Sequence, residues 1–195
     1  MPAPADTLPV LILAGGASRR MGGRDKALAE LAGRRLIDIV VERLRPQARV
    51  LAISGPGDYA TGLEAIPDRA DGPRGPAAGL WAMSAWMAAR LPGARGFCTA
   101  PVDGPFAPHD LVARLSSAGG CAVAHDGEND QPAFALWELA ALRRVLEAAP
   151  AGEGIALHAL AHRCGAARVR FPASSFFNVN APEDLARAEA LLANG

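Results

Sequence analysis

Short unbroken apolar runs alternate along this chain with longer stretches in which apolar side chains return every three or four positions. Residues 8–13, Leu-Pro-Val-Leu-Ile-Leu, form a continuous run that gives way to glycines. Such a run predicts a strand buried on both faces, the kind found in parallel sheets. Residues 34–45 then carry Leu36, Ile37, Ile39, Val40, Val41 and Leu44, a helical stripe ended by Pro46. The pattern repeats: strands over 49–53 and 63–66, a loop over 67–76, a helix over 77–90 stopped by Pro92 and Gly93, and a strand over 96–100. Beyond a loop at 101–108 it predicts a helix from 111 to 115, a strand over 121–124 and an antiparallel strand over 132–137. Helices over 138–148 and 155–161, a strand over 167–171 and a last helix from Pro182-Glu183-Asp184 to Leu192 complete the reading.

Strands that alternate with helices imply an α/β fold: one doubly wound, mostly parallel sheet. A length of 195 residues fits one such domain, here residues 9–195 behind a flexible stretch at 1–8. Neither an internal repeat nor a low-complexity linker interrupts it. Sheets of this type bind ligands beyond the carboxyl ends of their strands, so the loops after Leu13, Ile66 and Ala100 are where chemistry is expected.

Composition narrows the choice. Half of the residues are apolar, and 20 basic side chains balance 20 acidic ones. A protein that lives on nucleic acid or an anionic membrane carries a basic excess, and this chain has none. Anionic ligands must be met by local constellations. Cys98, Cys121 and Cys164 are scattered through apolar stretches and read as reduced core thiols. The first nine residues lack the pattern of a signal peptide, and the longest nearly apolar run, 79–89, is too short to span a bilayer. A cytoplasmic protein is expected.

The first loop reads Leu13-Ala-Gly-Gly-Ala-Ser-Arg-Arg-Met-Gly-Gly-Arg-Asp-Lys26. Glycines after a buried strand let backbone N–H groups approach a phosphate chain. Arg19, Arg20 and Lys26 add cations that can hold a triphosphate and balance charge as it shifts toward a leaving pyrophosphate. The spacing is that of neither a dinucleotide fingerprint nor a P-loop, since Asp25 and not glycine precedes the lysine.

The whole string, from Leu13-Ala-Gly-Gly through two arginines and Met-Gly to Asp-Lys-Ala-Leu, resembles the signature loop of nucleotidyltransferases. Its Gly-Gly form is most similar to the molybdenum cofactor guanylyltransferases. Pro67-Asp68, Gly75 to Gly79, Pro101 to Phe106, Asp130-Gln-Pro132 and Asn178 to Asp184 follow in that family's order, so the resemblance runs from about Val10 to Leu192. It implies transfer of GMP from Mg·GTP to molybdopterin, with GTP and the molybdenum cofactor as ligands and molybdoenzyme-maturation proteins as partners. Leu13, Ala14, Gly15, Gly16, Lys26, Asp68, Gly75 and Asp103 would bind the nucleotide; Arg20, Lys26 and Asp103 would act in catalysis; Asp103 would hold Mg2+; Asn178 and Asn180 would face the acceptor. The chain departs from the pattern at Ile53-Ser54, where an asparagine is common, and at Arg74-Gly-Pro-Ala-Ala-Gly79. CTP in place of GTP, a sugar phosphate as acceptor, and a non-catalytic cofactor-delivery partner are the rival readings.

The residues themselves support part of this. Asp103 follows an apolar strand and stands between Pro101 and Gly104-Pro105, where one carboxylate suffices for Mg2+ shared with phosphates. Asn178 and Asn180 point to one face of an extended segment, although an Asn-x-Asn ahead of a Pro-Glu-Asp helix start is also a cap signal. His158 and His162, four apart, lack a third ligand. Trp81 and Trp86 read as core fillers. The polar run 126–130 reads as a solvated loop, with a place near the acceptor as the rival reading.

Overall fold

The computed structural model of the protein describes residues 8–14, 25–55, 57–149 and 152–193. Strand β1, Val10–Leu13, lies in the interior of a seven-stranded sheet and is buried over most of its length. A three-residue 3-10 turn, Lys26–Leu28, leads into a small hairpin of β2, Glu30–Leu31, and β3, Arg34–Arg35. Its two turn residues, Ala32 and Gly33, have φ of 52° and 73°. Positive φ at both positions is the geometry that matches strand twist in a two-residue hairpin.

Helix α1, Leu36–Leu44, is followed by β4, Leu51–Ser54, and β5, Glu64–Ile66. Helix α2, Pro76–Arg90, returns the chain to β6, Gly96–Pro101, and helix α3 spans Leu111–Ser116. Strands β7, Ala122–His125, and β8, Asp130–Glu138, pair antiparallel, with a register shift between Val123 and Ala124. Helices α4, Leu139–Glu147, and α5, Leu157–Arg163, precede β9, Ala167–Arg170, and α6, Pro182–Ala193, closes the described chain.

The sheet order is β5-β4-β1-β6-β8-β7-β9, with β8 antiparallel to both neighbours and every other pair parallel. Alternation along β1 sends Val10 and Ile12 to one face and Leu11 to the other. On the first face they meet Ile37, Val40 and Leu44 of α1 and Leu111 and Leu115 of α3. On the second they meet Leu80, Met83 and Met87 of α2, Leu142 of α4 and Leu160 of α5. Covering both faces explains why β1, β4 and β6 are almost wholly apolar, with Ser54 and Thr99 as buried polar exceptions.

The doubly wound, mostly parallel reading holds, and so does the antiparallel strand near 132–137. Two details differ. The helix expected from residue 34 begins at Leu36, because Arg34 and Arg35 belong to the hairpin. Trp81 and Trp86 pack against the core but stand half-buried at its edge, where their ring N–H groups donate to Asp71 and Glu64 carboxylates at 3.3 and 2.7 Å. The fully buried tryptophan is Trp137, whose Nε1 donates to Thr99 Oγ1 at 3.0 Å. All three cysteines are free and buried. No helix among the described residues is long and apolar enough to cross a membrane.

Candidate active site

The carboxyl ends of β1 and β6 lie side by side because the two strands are parallel neighbours. The carbonyl of Leu13 accepts from Val102 N–H at 3.1 Å, and Ala14 N–H donates to the Ser54 carbonyl at 3.2 Å. The end of β1 is thus pinned from both sides. Asp103 sits in the turn just past β6, closed by Gly104 N–H donating to the Pro101 carbonyl at 3.2 Å. Gly104 is required there: a Cβ on it would stand 2.4 Å from Phe134 Cζ and 3.3 Å from Asn178 Oδ1.

Lys26 reaches this turn from the other side. Its Nζ donates to Asp103 Oδ2 at 2.9 Å and to Asn180 Oδ1 at 2.7 Å. The side chains of the ion pair keep only 16% and 21% of their exposure, so solvent screens the pair less than an ordinary surface bridge. The segment carrying Asn178 and Asn180 is tied to the same turn, because Val179 N–H donates to the Asp103 carbonyl at 2.8 Å. Asn178 Oδ1 is buried with no hydrogen-bond partner among the described residues. A buried amide oxygen left unpaired costs free energy and marks a place where a ligand can complete the set.

Capping, the rival reading for the two asparagines, belongs to a different residue. Asp184 Oδ2 accepts from Asn180 N–H at 2.9 Å and from Ala181 N–H at 3.0 Å, a third-position acid reaching back over the start of α6. The Asn180 side chain is thereby free to face Lys26.

A carboxylate and two amide oxygens are hard donors of the sort Mg2+ takes, and the Lys26 ammonium already bridges two of them. These residues therefore fit a divalent ion shared with a substrate's phosphates.

A second group lies around the end of β4. Ser54 is buried, and Gly79 in the first turns of α2 packs so closely on it that an added Cβ would stand 2.3 Å from Ser54 Oγ and 3.9 Å from Asp68 Oδ1. Asp68 is exposed as a residue, but partial desolvation of its carboxyl raises its pKa above the ordinary value. Gly75 precedes Pro76 at the helix start with φ of 73°, a left-handed conformation that favours glycine. Arg74 is held through its backbone, its N–H donating to the Glu153 carbonyl at 3.1 Å. The N-terminus of α2 lies at this end of the sheet, where its dipole favours anions.

The structure therefore joins Lys26, Asp103 and Asn180, with the unpaired Asn178 amide oxygen buried beside Gly104, and gathers Asp68, Gly75, Gly79 and Ser54 separately; no hydrogen bond or ion pair links the two groups among the described residues. Leu13 and Ala14 stand between them at the end of β1. Gly15, Gly16, Arg19 and Arg20 lie outside the described residues. His109, His158 and His162 are exposed, and no group of three His, Cys, Asp or Glu side chains gathers to hold a metal among the described residues. The run 126–130 is a self-satisfied turn: Asp126 accepts from Glu128 and Asn129 N–H and from Gln131 Nε2.

Sequence reasoning missed Tyr59. Its hydroxyl donates to Asp25 Oδ2 at 2.9 Å, while Asp25 Oδ1 accepts from Ala27 N–H at 3.0 Å. The Asp25 end of this contact carried a signal, an aspartate heading a short turn. Nothing local marked Tyr59.

Comparison with known proteins gives this geometry its context. Residues 10–166 match the model of the MobA-like NTP transferase domain. A molybdenum cofactor guanylyltransferase of Cereibacter sphaeroides is 49% identical over 93% of this chain and 95% of its own length. One from Rhodopseudomonas palustris is 43% identical, covering 94% and 91%. Among solved structures, molybdopterin-guanine dinucleotide biosynthesis protein A from Archaeoglobus fulgidus aligns with a TM-score of 0.70, covering 96% of this chain and all of its own, at 24% identity. A 2-C-methyl-D-erythritol 4-phosphate cytidylyltransferase from Thermus thermophilus shares the fold at a TM-score of 0.64 over 94% and 98%.

Proposed function

Because the chain belongs to the MobA-like NTP transferases, and among them to the molybdenum cofactor guanylyltransferases, we propose that it transfers GMP from Mg·GTP to molybdopterin. The products are molybdopterin guanine dinucleotide and pyrophosphate. The observation that carries the reading is the Lys26 ammonium bridging Asp103 and Asn180 at the adjoining ends of β1 and β6.

The terminal phosphate oxygen of the acceptor attacks the α-phosphorus, and the bond from that phosphorus to the pyrophosphate oxygen breaks. The acceptor supplies its own nucleophile, so the protein has only to position the partners and balance charge. Lys26 exchanges Asp103 for phosphate oxygens when the triphosphate enters, as a flexible ammonium on a four-carbon stem can. Asp103, with the amide oxygens of Asn178 and Asn180, would hold the divalent ion. When bound, that ion supplies charge neutralisation at the α-phosphate and the leaving pyrophosphate. Asp68, Ser54, Gly75 and Gly79 form the wall on the nucleoside side, with Leu13 and Ala14 at its base. Gly15, Gly16 and Arg20 belong to the same nucleotide loop in this reading, Arg20 as a second cation for the phosphates.

Pyrophosphate release with molybdopterin and each of the four nucleoside triphosphates tests this. GTP should be preferred over CTP by on the order of 1–3 kcal/mol, the cost of missed hydrogen bonds. Equal turnover of the two would refute the guanine assignment. Release only with a sugar phosphate would refute the acceptor. Silence with every pair would leave a cofactor-delivery protein.

A further inference from the structure

Lys26 stands between two anchored backbone positions, and the anchor is a residue of another loop. We infer that Tyr59 is a positioning residue for Lys26: its hydroxyl fixes the Asp25 carboxylate, which in turn holds the turn from which Lys26 projects. The inference rests on the assignment of Lys26 to the substrate's phosphates made above.

Both oxygens of Asp25 are engaged. Oδ1 accepts from Ala27 N–H at 3.0 Å, and Oδ2 accepts from Tyr59 Oη at 2.9 Å. The residues flanking Lys26 on either side are therefore the two ends of one carboxylate clamp. Without the phenol, Asp25 could still cap the turn but could swing with it.

Tyr59 is itself held rigidly. It and Ala60 have φ of 53° and 56°, left-handed values that side-chain-bearing residues rarely adopt. Such strain persists only where the surroundings over-determine it. Here they do so: the Tyr59 carbonyl accepts from Arg35 Nη1 at 2.9 Å, and Arg35 is locked on Asp38 by bonds of 2.6 and 2.7 Å. The turn is closed by Ala60 N–H donating to Asp58 Oδ1 and Thr61 N–H to the Asp58 carbonyl. The half-buried ring also packs against the core under α1. Burial, then the bond to Asp25, pushes the phenol up to about 12, so it stays a donor throughout the working range of pH.

The arrangement answers a mechanical need. The Lys26 side chain has to leave Asp103 for phosphate while its backbone stays put, since a shift of about 1 Å at a positioning group can cost a hundredfold in rate. A neutral phenol adds this rigidity without placing another charge beside the triphosphate.

The test is the affinity of the wild type, Tyr59→Phe, Lys26→Met and the double variant for whichever of the four nucleoside triphosphates the wild type binds most tightly, by calorimetry with melting temperatures alongside. Tyr59→Phe should weaken binding roughly three- to tenfold, the net scale of one lost intramolecular hydrogen bond. In the Lys26→Met background the same change should cost nothing further. Asp25→Ala, a second way to break the contact, should reproduce at least that loss, again only when Lys26 is present. An equal loss in both backgrounds, or a lower melting temperature with intact affinity, would overturn the inference. If Lys26→Met itself binds as the wild type does, the assignment of Lys26 to the phosphates fails, and the role of Tyr59 with it.

Discussion

At the scale of single residues, Asp103, Lys26 and Asn180 form one unit, and each should fail in its own way. Asp103→Asn keeps the shape but removes the charge that pairs with Lys26 at 2.9 Å and that would hold the divalent ion. Turnover should fall on the order of a hundredfold or more with an intact fold, measured as pyrophosphate release across a magnesium titration with circular dichroism as control. Retention of more than about a third of wild-type turnover at low magnesium would remove Asp103 from the mechanism. Asn180→Ala should lower acceptor-dependent turnover while leaving the melting temperature nearly unchanged, because Asp184 and not Asn180 caps α6. A loss of about 1 kcal/mol in stability with full turnover would restore the cap reading. Asp68 offers a test by pH. Asp68 is an exposed residue whose carboxyl is only partly desolvated; that partial burial raises its folded pKa, so the fold binds a proton more readily than the unfolded chain does and loses stability as pH rises through the folded value. Asp68→Asn should accordingly melt higher than the wild type at neutral pH and converge with it at acid pH. A variant that melts lower at neutral pH would contradict the burial argument.

At the scale of elements, boundaries follow from contacts that no local pattern contains. Strands β1, β4 and β6 were legible because burial on both faces demands continuous apolar runs. The hairpin of β2 and β3 was not, since its Ala32-Gly33 turn lacks the Asn-Gly or Asp-Gly signal and Arg34 and Arg35 sit next to a helical stripe. Tyr59 was invisible for a similar reason: its partner Asp25 is 34 residues away, in a loop whose backbone obeys no period. The join of β4 and α2 supplies the element-scale prediction. Helix propensity alone would make Gly79→Ala stabilising by about 1 kcal/mol. The added Cβ would meet Ser54 Oγ at 2.3 Å, so overpacking should win and the variant should unfold at lower denaturant, by about 1–3 kcal/mol. Denaturant unfolding decides the sign, and a more stable variant would mean that the helix and strand approach less closely than described.

At the scale of the whole molecule, zero net charge leaves the substrates to be captured by a few local groups at one end of the sheet. The motif order made Asp103, Lys26 and the asparagines legible as candidates. What it could not show was their division into one cluster at the ends of β1 and β6 and a separate group around Ser54 and Asp68, because that division comes from which strands are neighbours. Transfer of the nucleotide's α-phosphate to a phosphorylated acceptor is the claim on which everything else depends. It is tested most directly by incubating the protein with molybdopterin, Mg2+ and GTP labelled either at the α- or at the γ-phosphate, then resolving the products. The α-label should pass into a dinucleotide with the mass of molybdopterin guanine dinucleotide, and the γ-label should appear wholly in pyrophosphate. A γ-label on the pterin, or an α-label that never leaves GTP, would contradict it.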